Sequence, residues 1–389
     1  MSREQETVVH QVMILVAVLH GDNISIDMCK TFTKFVGVFF VHISIINIIV
    51  LGVKTMKAGL GVMNVFQWHI THKCNLRCRH CYLDEYAKEP TLVELKQVLD
   101  RIVEYLDEID GYGEIDLTGG EPFVSSKLFA ILSLIEMQPR IKDVAIGTNG
   151  TLITEETVER LSKYKKLRAI QISIDGNKNT HDLIRGKGTF DASLKSIKLL
   201  KEHDIKTSIS FTANRLNYKE FDEVASIVTL AGANIVWTDR VIPLGDKNKK
   251  DDLINNLVLT NEEFKEYIDI ISNAANKYKT VSLRRPLQYL DTDDKRGHTC
   301  SAGRRSFTIT ADCELMPCRR LEETLGSVLD NSISQLLRIN QKVIQQIHTI
   351  PDECKKCEHL NYCEGGSRCL ACAVYGNYIN PDPNCFIKE

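Results

Sequence analysis

Short apolar segments and longer amphipathic segments alternate along the chain from Met63 to about residue 290. Each apolar segment is followed by a turn or a polar motif, and then by a stretch whose apolar residues recur every three or four positions. The alternation repeats about six times, which predicts a parallel α/β architecture. The predicted strands cover residues 65–71, 114–117, 144–147, 169–174, 207–212 and 235–241.

The segment 91–109 carries the signals of a helix start, because Thr91 offers an N-cap hydroxyl and Glu94 follows three residues later. From about residue 291 the chain changes to short segments rich in cysteine, glycine and charge, with one helical pattern at 332–350. The sequence therefore predicts a core at 63–290 and a small cysteine-rich domain at 291–389.

Residues 1–62 form an apolar extension that fits neither domain, and three interpretations stay open. No residue from 35 to 53 is charged, and the run is long enough to span a bilayer as a helix. Polar side chains within the run weigh against a membrane helix, and its β-branched residues also suit buried strands. The third interpretation is a start codon assigned too early, with Met56 or Met63 as the true start.

Charge and cysteine content narrow the function classes. Acidic and basic residues nearly balance, with a net charge of -2, so no electrostatic signature of nucleic-acid binding is present. The 13 cysteines lie almost entirely in two runs, whereas a secreted disulfide scaffold would be short and rich in cysteine throughout. We expect metal ligation in a reducing, anaerobic cytoplasm, with membrane anchoring through 35–53 as the alternative.

The first cysteine run, Cys74, Cys78 and Cys81, follows the first predicted strand with C-x3-C-x2-C spacing. Three close thiolates suit an iron–sulfur cluster or a soft metal ion. A four-iron cluster on three cysteines leaves one iron open for a bound molecule. A structural zinc site is the alternative, with His72 or His80 as the fourth ligand.

Polar and glycine motifs follow later predicted strands. Gly119-Gly120-Glu121 comes after the second strand, Ser173 ends the fourth, and Arg185 lies twelve residues further on. Thr148-Asn149-Gly150, after the third strand, is a weaker motif that also suits a turn. Taken singly, the glycines could form an ordinary turn and Arg185 a surface ion pair. The ends of parallel strands meet at one edge of a sheet or barrel, so together they predict one site.

These motifs resemble the radical S-adenosylmethionine (radical SAM) superfamily, over residues from about 65 to the C-terminus. The resemblance implies a partial (β/α)6 TIM-like barrel that carries a [4Fe-4S] cluster on the first cysteine run and binds S-adenosylmethionine. It also implies reductive cleavage of this cofactor to a 5′-deoxyadenosyl radical, which takes hydrogen from a substrate. The implied cofactor contacts are His80, Gly119, Gly120, Glu121, Ser173 and Arg185.

The C-terminal cysteines resemble the SPASM domain of radical peptide and protein maturases, which holds one or two auxiliary [4Fe-4S] clusters. By that resemblance Cys354, Cys357, Cys363 and Cys385 hold an outer cluster, and Cys300, Cys318 and Cys369 hold an inner one. Cys313 stands where the family usually has glycine, so Cys313 or Cys372 completes the inner cluster or is a spare thiol. Zinc binding by the C-x2-C pair is the alternative.

The function implied is maturation of a peptide or protein, supplied with electrons by a flavodoxin or ferredoxin. Cys318 is followed by Arg319 and Arg320, where sulfatase-maturating relatives carry an aspartate base, which argues against formylglycine formation. Residues 1–62 are too short and apolar for a leader-recognition domain. The alternatives are a radical SAM enzyme acting on a haem precursor or sugar alcohol, and a non-catalytic iron–sulfur or zinc protein.

Overall fold

The computed structural model describes residues 62–83, 89–245, 247–285, 287–288 and 300–387. The predictions for residues 1–61, including the apolar run at 35–53 and the unassigned Cys29, lie outside these ranges. Among the described residues no helix is both long and apolar enough to cross a membrane.

The six predicted strands are all present, each within about three residues of its expected bounds. They are β1 (Met63–His69), β2 (Tyr112–Thr118), β3 (Ile141–Thr148), β4 (Leu167–Ser173), β5 (Thr207–Ala213) and β6 (Ile235–Arg240). Four short strands follow: β7 (Val281–Ser282), β8 (Ser306–Ile309), β9 (Glu314–Met316) and β10 (Gly326–Ser327).

The strands form one open sheet in the order β10-β9-β8-β1-β2-β3-β4-β5-β6-β7. All neighbours from β8 to β7 are parallel, whereas β8, β9 and β10 pair antiparallel. The described sheet does not close, since β10 and β7 lie at its two ends, so the α/β fold is a partial barrel as predicted.

Helices connect the parallel strands and cover one face of the sheet. In the core they are α1 (Leu92–Glu108), α2 (Leu128–Glu136), α3 (Glu155–Leu161), α4 (Lys178–Arg185), α5 (Thr189–Glu202), α6 (Phe221–Ala231), α7 (Lys247–Asn256) and α8 (Asn261–Lys277). In the C-terminal region they are α9 (Ile333–Ile339), α10 (Gln341–Ile347), α11 (Leu360–Cys363) and α12 (Arg368–Tyr375).

The start of α1 agrees with the sequence prediction. The Thr91 side chain accepts from the Glu94 N–H at 3.1 Å, and the Glu94 carboxylate accepts from the Thr91 N–H at 2.7 Å. This reciprocal capping box leaves the apolar face of the helix to pack on the sheet, with Leu95, Leu99 and Ile102 buried.

The helical pattern at 332–350 forms two helices rather than one, because the helix ends at Asn340 and restarts. The Asn340 side chain donates to the carbonyls of Leu325 at 2.8 Å and Leu336 at 2.9 Å. These bonds tie the end of α9 to the segment before β10. Side chains that bond the backbone in this way compete with helix continuation, which the apolar periodicity alone does not reveal.

The core strands bury one face more fully than the other. In β2 and β4 buried and partly buried positions alternate. The buried side chains pack against the helices, whereas Gln67, Asp116 and Gln171 line an interior cavity on the other face. Alternation of this kind indicates one face in the hydrophobic core and one in a polar interior.

The cysteine-rich region shares the sheet of the core. Strand β8 pairs parallel with β1, with Phe66 opposite Phe307, and the two rings stack at 5.5 Å between centroids. The boundary expected near residue 290 falls beside the undescribed residues 289–299 and stays a prediction.

Candidate functional site

The partly buried carboxylate of Glu89 fixes the start of the cysteine loop, the segment 70–83 that follows β1. The Thr71 hydroxyl donates to one Glu89 oxygen at 2.6 Å, and the N–H groups of His72 and Lys73 donate to the other at 2.9 and 3.2 Å. A carboxylate with three such donors is a strong anchor. It sets where the loop leaves the sheet.

Cys74, Cys78 and Cys81 are brought together in this loop, close enough for each charge to influence another. The Leu76 N–H donates to Cys74 Sγ at 3.4 Å. Burial raises the pKa of the Cys78 thiol to about 11, although the nearby Arg185 favours the thiolate. In the described ranges no three His, Cys, Asp or Glu side chains form a site for a single metal ion.

Gly119 and Gly120 lie against the backbone of the cysteine loop. A Cβ on Gly119 would stand 2.3 Å from the Thr71 carbonyl oxygen, and one on Gly120 would stand 2.2 Å from that of Lys73. Gly120 N–H donates to Thr71 O at 2.9 Å. Both glycines also line the cavity at the carboxyl ends of the core strands, here called the site cavity. The contact that requires glycine, however, is with the backbone of the cysteine loop.

Glu121 is fully buried and is not among the residues that line the site cavity. Its carboxylate accepts from the Thr148 hydroxyl at 2.7 Å, the Asn149 N–H at 2.8 Å and the Phe123 N–H at 3.2 Å. Glu121 therefore joins the end of β2 to the end of β3. Asn149 in turn donates to Asn75 at 2.9 Å, so the weaker motif after β3 supports the cysteine loop.

Arg185 and His80 meet at a buried acid, Asp175. Arg185 Nε donates to Asp175 Oδ2 at 2.6 Å, and His80 Nε2 lies 3.4 Å from the same oxygen. Burial would raise the pKa of Asp175, but Arg185 and His80 together hold it below its usual value. Arg185 Nη1 lies 3.8 Å from Cys78 Sγ. The guanidinium therefore contacts the cysteine loop through Nη1 while its Nε binds Asp175.

Most of these groups line the site cavity. Ser173 lines it at the end of β4, with Gln171 on the same strand, Thr118 at the end of β2 and Thr212 on β5. Its remaining wall includes the cysteine loop, Trp237, Asp239, Arg285, Arg319 and Arg320. Of the residues predicted to contact a cofactor, His80, Gly119, Gly120, Ser173 and Arg185 line this one cavity.

The C-terminal cysteines form two groups. Cys354, Cys357, Cys363 and Cys385 line one small pocket, and burial raises the pKa of Cys363 to about 12. These are the four residues predicted for the outer cluster.

The second group consists of Cys300, Cys318 and Cys369, whose charges influence one another. They pack around a small apolar cluster that includes Ala302 and Ile347. Burial raises the pKa of Cys300 to about 11. These are the three residues predicted for the inner cluster.

The two remaining candidates lie in different surroundings. Cys313 is 2% exposed and belongs to the main hydrophobic core, at a backbone φ of 62°. Cys372 is one helical turn after Cys369 on α12 and packs against the inner group's apolar cluster, where Tyr378 is its neighbour. Of the two, Cys372 lies on the same apolar cluster as the inner group.

Two family models match the chain. The Radical SAM superfamily model matches residues 68–228, and the model of an iron–sulfur cluster-binding domain, SPASM, matches residues 300–358. The protein is a radical SAM enzyme.

Curated relatives of this radical SAM enzyme differ in what they make. The antilisterial bacteriocin subtilosin biosynthesis protein AlbA of Bacillus subtilis is 28% identical, over 77% of this chain and 66% of its own length. Fe-coproporphyrin III synthase of Methanosarcina barkeri is 26% identical, over 84% of this chain and 88% of its own. The chain thus spans just under two thirds of AlbA.

The fold is also that of solved radical SAM structures. The enzyme anSMEcpe with bound AdoMet superposes with a TM-score of 0.66 at 20% identity, over 83% of this chain and 90% of that one.

The residues of the radical SAM core fit a cluster and its S-adenosylmethionine. Three thiols lie in the cysteine loop, and the described residues of this loop include no fourth cysteine. The buried Nδ1 of His80 has no hydrogen-bond partner among the described residues. Metal binding displaces thiol protons, and three thiolates that leave one iron open suit a four-iron cluster. The enzyme uses this cluster, S-adenosylmethionine and auxiliary iron–sulfur clusters as cofactors.

Several residues of the site were missed by sequence reasoning. Asp175 had one visible signal, an acid directly after a predicted buried strand. Asp239 and Arg240 end β6 in the same way, but their partners are distant in sequence. Arg240 Nη1 and Nη2 donate to the two Asp382 oxygens at 2.8 Å each. Arg320 donates to the Asp239 carboxylate. These contacts join the radical SAM core to the SPASM region.

Proposed function

We propose that this radical SAM enzyme matures a peptide or protein by abstracting hydrogen from it. When bound, the cluster and S-adenosylmethionine supply a one-electron cleavage that yields the 5′-deoxyadenosyl radical. The residues of this chain would orient the cofactor, with Arg185 holding its carboxylate and Ser173 its ribose. Flavodoxin or ferredoxin would supply electrons in a reducing, anaerobic cytoplasm.

The observation that carries the proposal is the position of the site cavity between two cysteine groups. The cysteine loop forms part of its lining, and Arg319 and Arg320, which directly follow Cys318 of the inner group, form another part. Tyr82, next to Cys81, packs on α12 beside Cys369. A substrate in this cavity would therefore contact the cofactor on one side and lie near an auxiliary cluster on the other.

Three features favour the assigned ligands. The inner set, Cys300, Cys318 and Cys369, and the outer set, Cys354, Cys357, Cys363 and Cys385, each share one environment. The relative AlbA, whose name states bacteriocin biosynthesis, aligns over 77% of this chain. Glu121 supports the cofactor site from behind the cavity wall through Thr148 and Asn149.

The test is anaerobic reconstitution of the full chain, followed by incubation with S-adenosylmethionine, dithionite and short peptides encoded beside its gene. We expect release of 5′-deoxyadenosine that rises when the right peptide is added, and a mass change in that peptide. A loss of two hydrogens would indicate a new cross-link. If 5′-deoxyadenosine forms but every such peptide is recovered with its original mass, the peptide proposal is wrong.

A second candidate is a reaction on a tetrapyrrole. The alignment with Fe-coproporphyrin III synthase covers more of both chains than the alignment with AlbA does. Iron coproporphyrin III is the product that this relative's name states. The same reconstituted enzyme is therefore incubated with it and, separately, with an iron tetrapyrrole that carries acetate side chains as well as propionates. A change in the mass of either tetrapyrrole would favour this candidate over the peptide.

A further inference from the structure

The charged side chains around the substrate space are mostly cationic, although the whole chain has a net charge of -2. Five arginines line the site cavity, and Asp239 is the acid among the described lining residues. Two of the five, Arg285 and Arg319, also line the interior cavity inside the barrel, together with Arg168, Lys206, Arg284 and one acid, Asp116. The two cavities therefore meet at Arg285 and Arg319.

Most of the other arginines already have acidic partners. Arg185 pairs with Asp175 at 2.6 Å, and Arg240 pairs with Asp382 at 2.8 Å. Arg168 lies 2.7 Å from Asp143 and 3.1 Å from Asp116. The charges of Arg185, Arg240 and Arg168 are therefore already balanced by these carboxylates.

Arg285 and Arg319 are balanced less well. Arg285 lies 3.0 Å from Asp239, but Arg320 donates to the same carboxylate oxygen. Arg319 is hydrogen-bonded to the phenol of Tyr82, which is neutral, and the nearby Asp116 is held by Arg168. Arg285 and Arg320 thus share the carboxylate of Asp239, and Arg319 lies near an acid, Asp116, that Arg168 already pairs with.

Arg285 is 31% exposed and Arg319 is partly buried, so each lines the cavity with a guanidinium that is only partly neutralised. Positive charge concentrated in a cavity in this way favours a bound anion. S-adenosylmethionine cannot be that anion, because its sulfonium is positive and its carboxylate is assigned to Arg185. The planar fork of a guanidinium matches a carboxylate in shape as well as charge.

We propose that Arg285 and Arg319 form a subsite that binds a carboxylate of the substrate where the two cavities meet. The subsite rests on the proposed function, because it requires the substrate to occupy the site cavity. In an unmodified peptide the carboxylate is that of an aspartate, a glutamate or the C-terminus, and in a tetrapyrrole it is a propionate. The aromatic face of Trp237, 4.8 Å from the Arg285 guanidinium carbon, completes the subsite.

The test measures binding by equilibrium dialysis to the anaerobically reconstituted full chain with S-adenosylmethionine present. The peptide probes are an acetylated, amidated pentapeptide with one central glutamate between glycines and its glutamine counterpart. The porphyrin probes are iron coproporphyrin III and its tetramethyl ester. We expect the carboxylate member of at least one pair to bind about tenfold or more tightly than its neutral counterpart, as for a buried charge-assisted hydrogen bond.

Arg319→Gln and Arg285→Gln should each reduce that preference about tenfold, and high salt should reduce it further. Arg338→Gln is the matched control, because it removes the same charge from an exposed position on α9 and should change nothing. Iron content is measured for each variant, so that a folding defect is recognised. Two variants are used because Arg285 also contacts Asp239.

The outcomes are distinct. Equal binding within both probe pairs, or a preference that survives both substitutions, overturns the subsite. A preference seen only for the porphyrin, together with unmodified peptides, keeps the subsite and overturns the peptide function. A peptide that is modified equally well after its carboxylates are amidated keeps the function and overturns the subsite.

Discussion

At the scale of single residues, Asp175 organises more of the site than any residue assigned from the motifs. It is fully buried, and it accepts from Arg185 Nε and from the Thr212 N–H, both at 2.6 Å. Its backbone carbonyl accepts from Asn217 at 3.1 Å. Because it contacts Arg185 rather than lining the cavity, Asp175 is a positioning residue.

Asp175→Asn should therefore weaken S-adenosylmethionine binding by about 10- to 100-fold, since Arg185 loses a charged partner. Iron content should stay unchanged, because the cysteines are untouched. Equilibrium binding of S-adenosylmethionine to the reconstituted enzyme is the measurement. The control is Asp191→Asn, which removes an exposed ion pair with Lys178 and should have no effect on binding. Unchanged affinity in Asp175→Asn would contradict the positioning role.

Cys313 has a backbone conformation that favours glycine, with φ at 62°. We expect Cys313→Gly to keep the full iron content, with little loss of stability, because relief of backbone strain offsets the lost packing of the sulfur. Cys318→Ala should lose about one cluster, or about four irons. Iron and sulfide analysis of both variants is the measurement. Loss of iron from Cys313→Gly would instead make Cys313 a ligand.

His181 should make stability depend on pH. It is fully buried, its Nδ1 accepts from the Asp175 N–H at 3.1 Å, and burial lowers its pKa to about 4. Between about pH 6.5 and 4 the unfolded chain therefore binds the extra proton. The contribution of neutral His181 is complete above pH 6.5 and is lost as the pH falls toward 4.

Thermal unfolding midpoints between pH 7 and pH 4.5 test this expectation. The midpoint should fall with pH less steeply for His181→Gln than for the parent chain, because one titrating group is absent. His203→Gln is the control, since that imidazole is a quarter exposed beside Glu155. Parallel curves for His181→Gln and the parent would contradict the prediction.

At the scale of elements, the important contact is between the turn after β2 and the cysteine loop after β1. Gly120→Ala would place a methyl group 2.2 Å from the Lys73 carbonyl oxygen, so one backbone segment must move. We expect loss of the loop cluster and of 5′-deoxyadenosine release. Gly147→Ala on β3 is the control, because its methyl group would meet Thr118 Oγ1 at an ordinary 3.4 Å. Iron content should separate the two variants, and equal values would contradict this account.

Element types were largely readable from the sequence, but two features were not. The six core strands and the α1 capping box follow from local patterns and agree with the structure. The break at Asn340 depends on a carbonyl of Leu325, and the pairing of β8 with β1 joins residues about 240 positions apart. Neither contact leaves a local trace in the chain.

At the scale of the whole molecule, Arg240 holds the C-terminal segment against the core. Its side chain is 4% exposed, donates to both Asp382 oxygens and to Asn384, and lies over the Phe264 ring. Asp382 also accepts from the Ser367 N–H at 2.8 Å, four residues after Cys363 of the outer group and two before Cys369. The ion pair therefore fixes the segment that carries Cys369 and Cys385.

Arg240→Met should lower the free energy of unfolding by about 3–5 kcal/mol, because Asp382 is left buried without its partner. The double variant Arg240→Met with Asp382→Leu should recover part of that loss, and the double-mutant cycle measures the coupling. Hydrogen exchange of residues 366–385 reports the loosening directly. If the single and double variants lose equal stability and exchange is unchanged, the pair does not hold the segment.

The sequence by itself determined the class of chemistry. Three thiols at C-x3-C-x2-C spacing, a glycine pair after the next strand and the C-terminal cysteines are sequence patterns that resemble the radical SAM and SPASM families, and the two family models match. Only the tertiary structure decided what surrounds the substrate. Asp175, Arg285 and Arg319 acquire their roles from partners that the open sheet brings together. Charges distant in sequence cannot be paired before folding sets their distances.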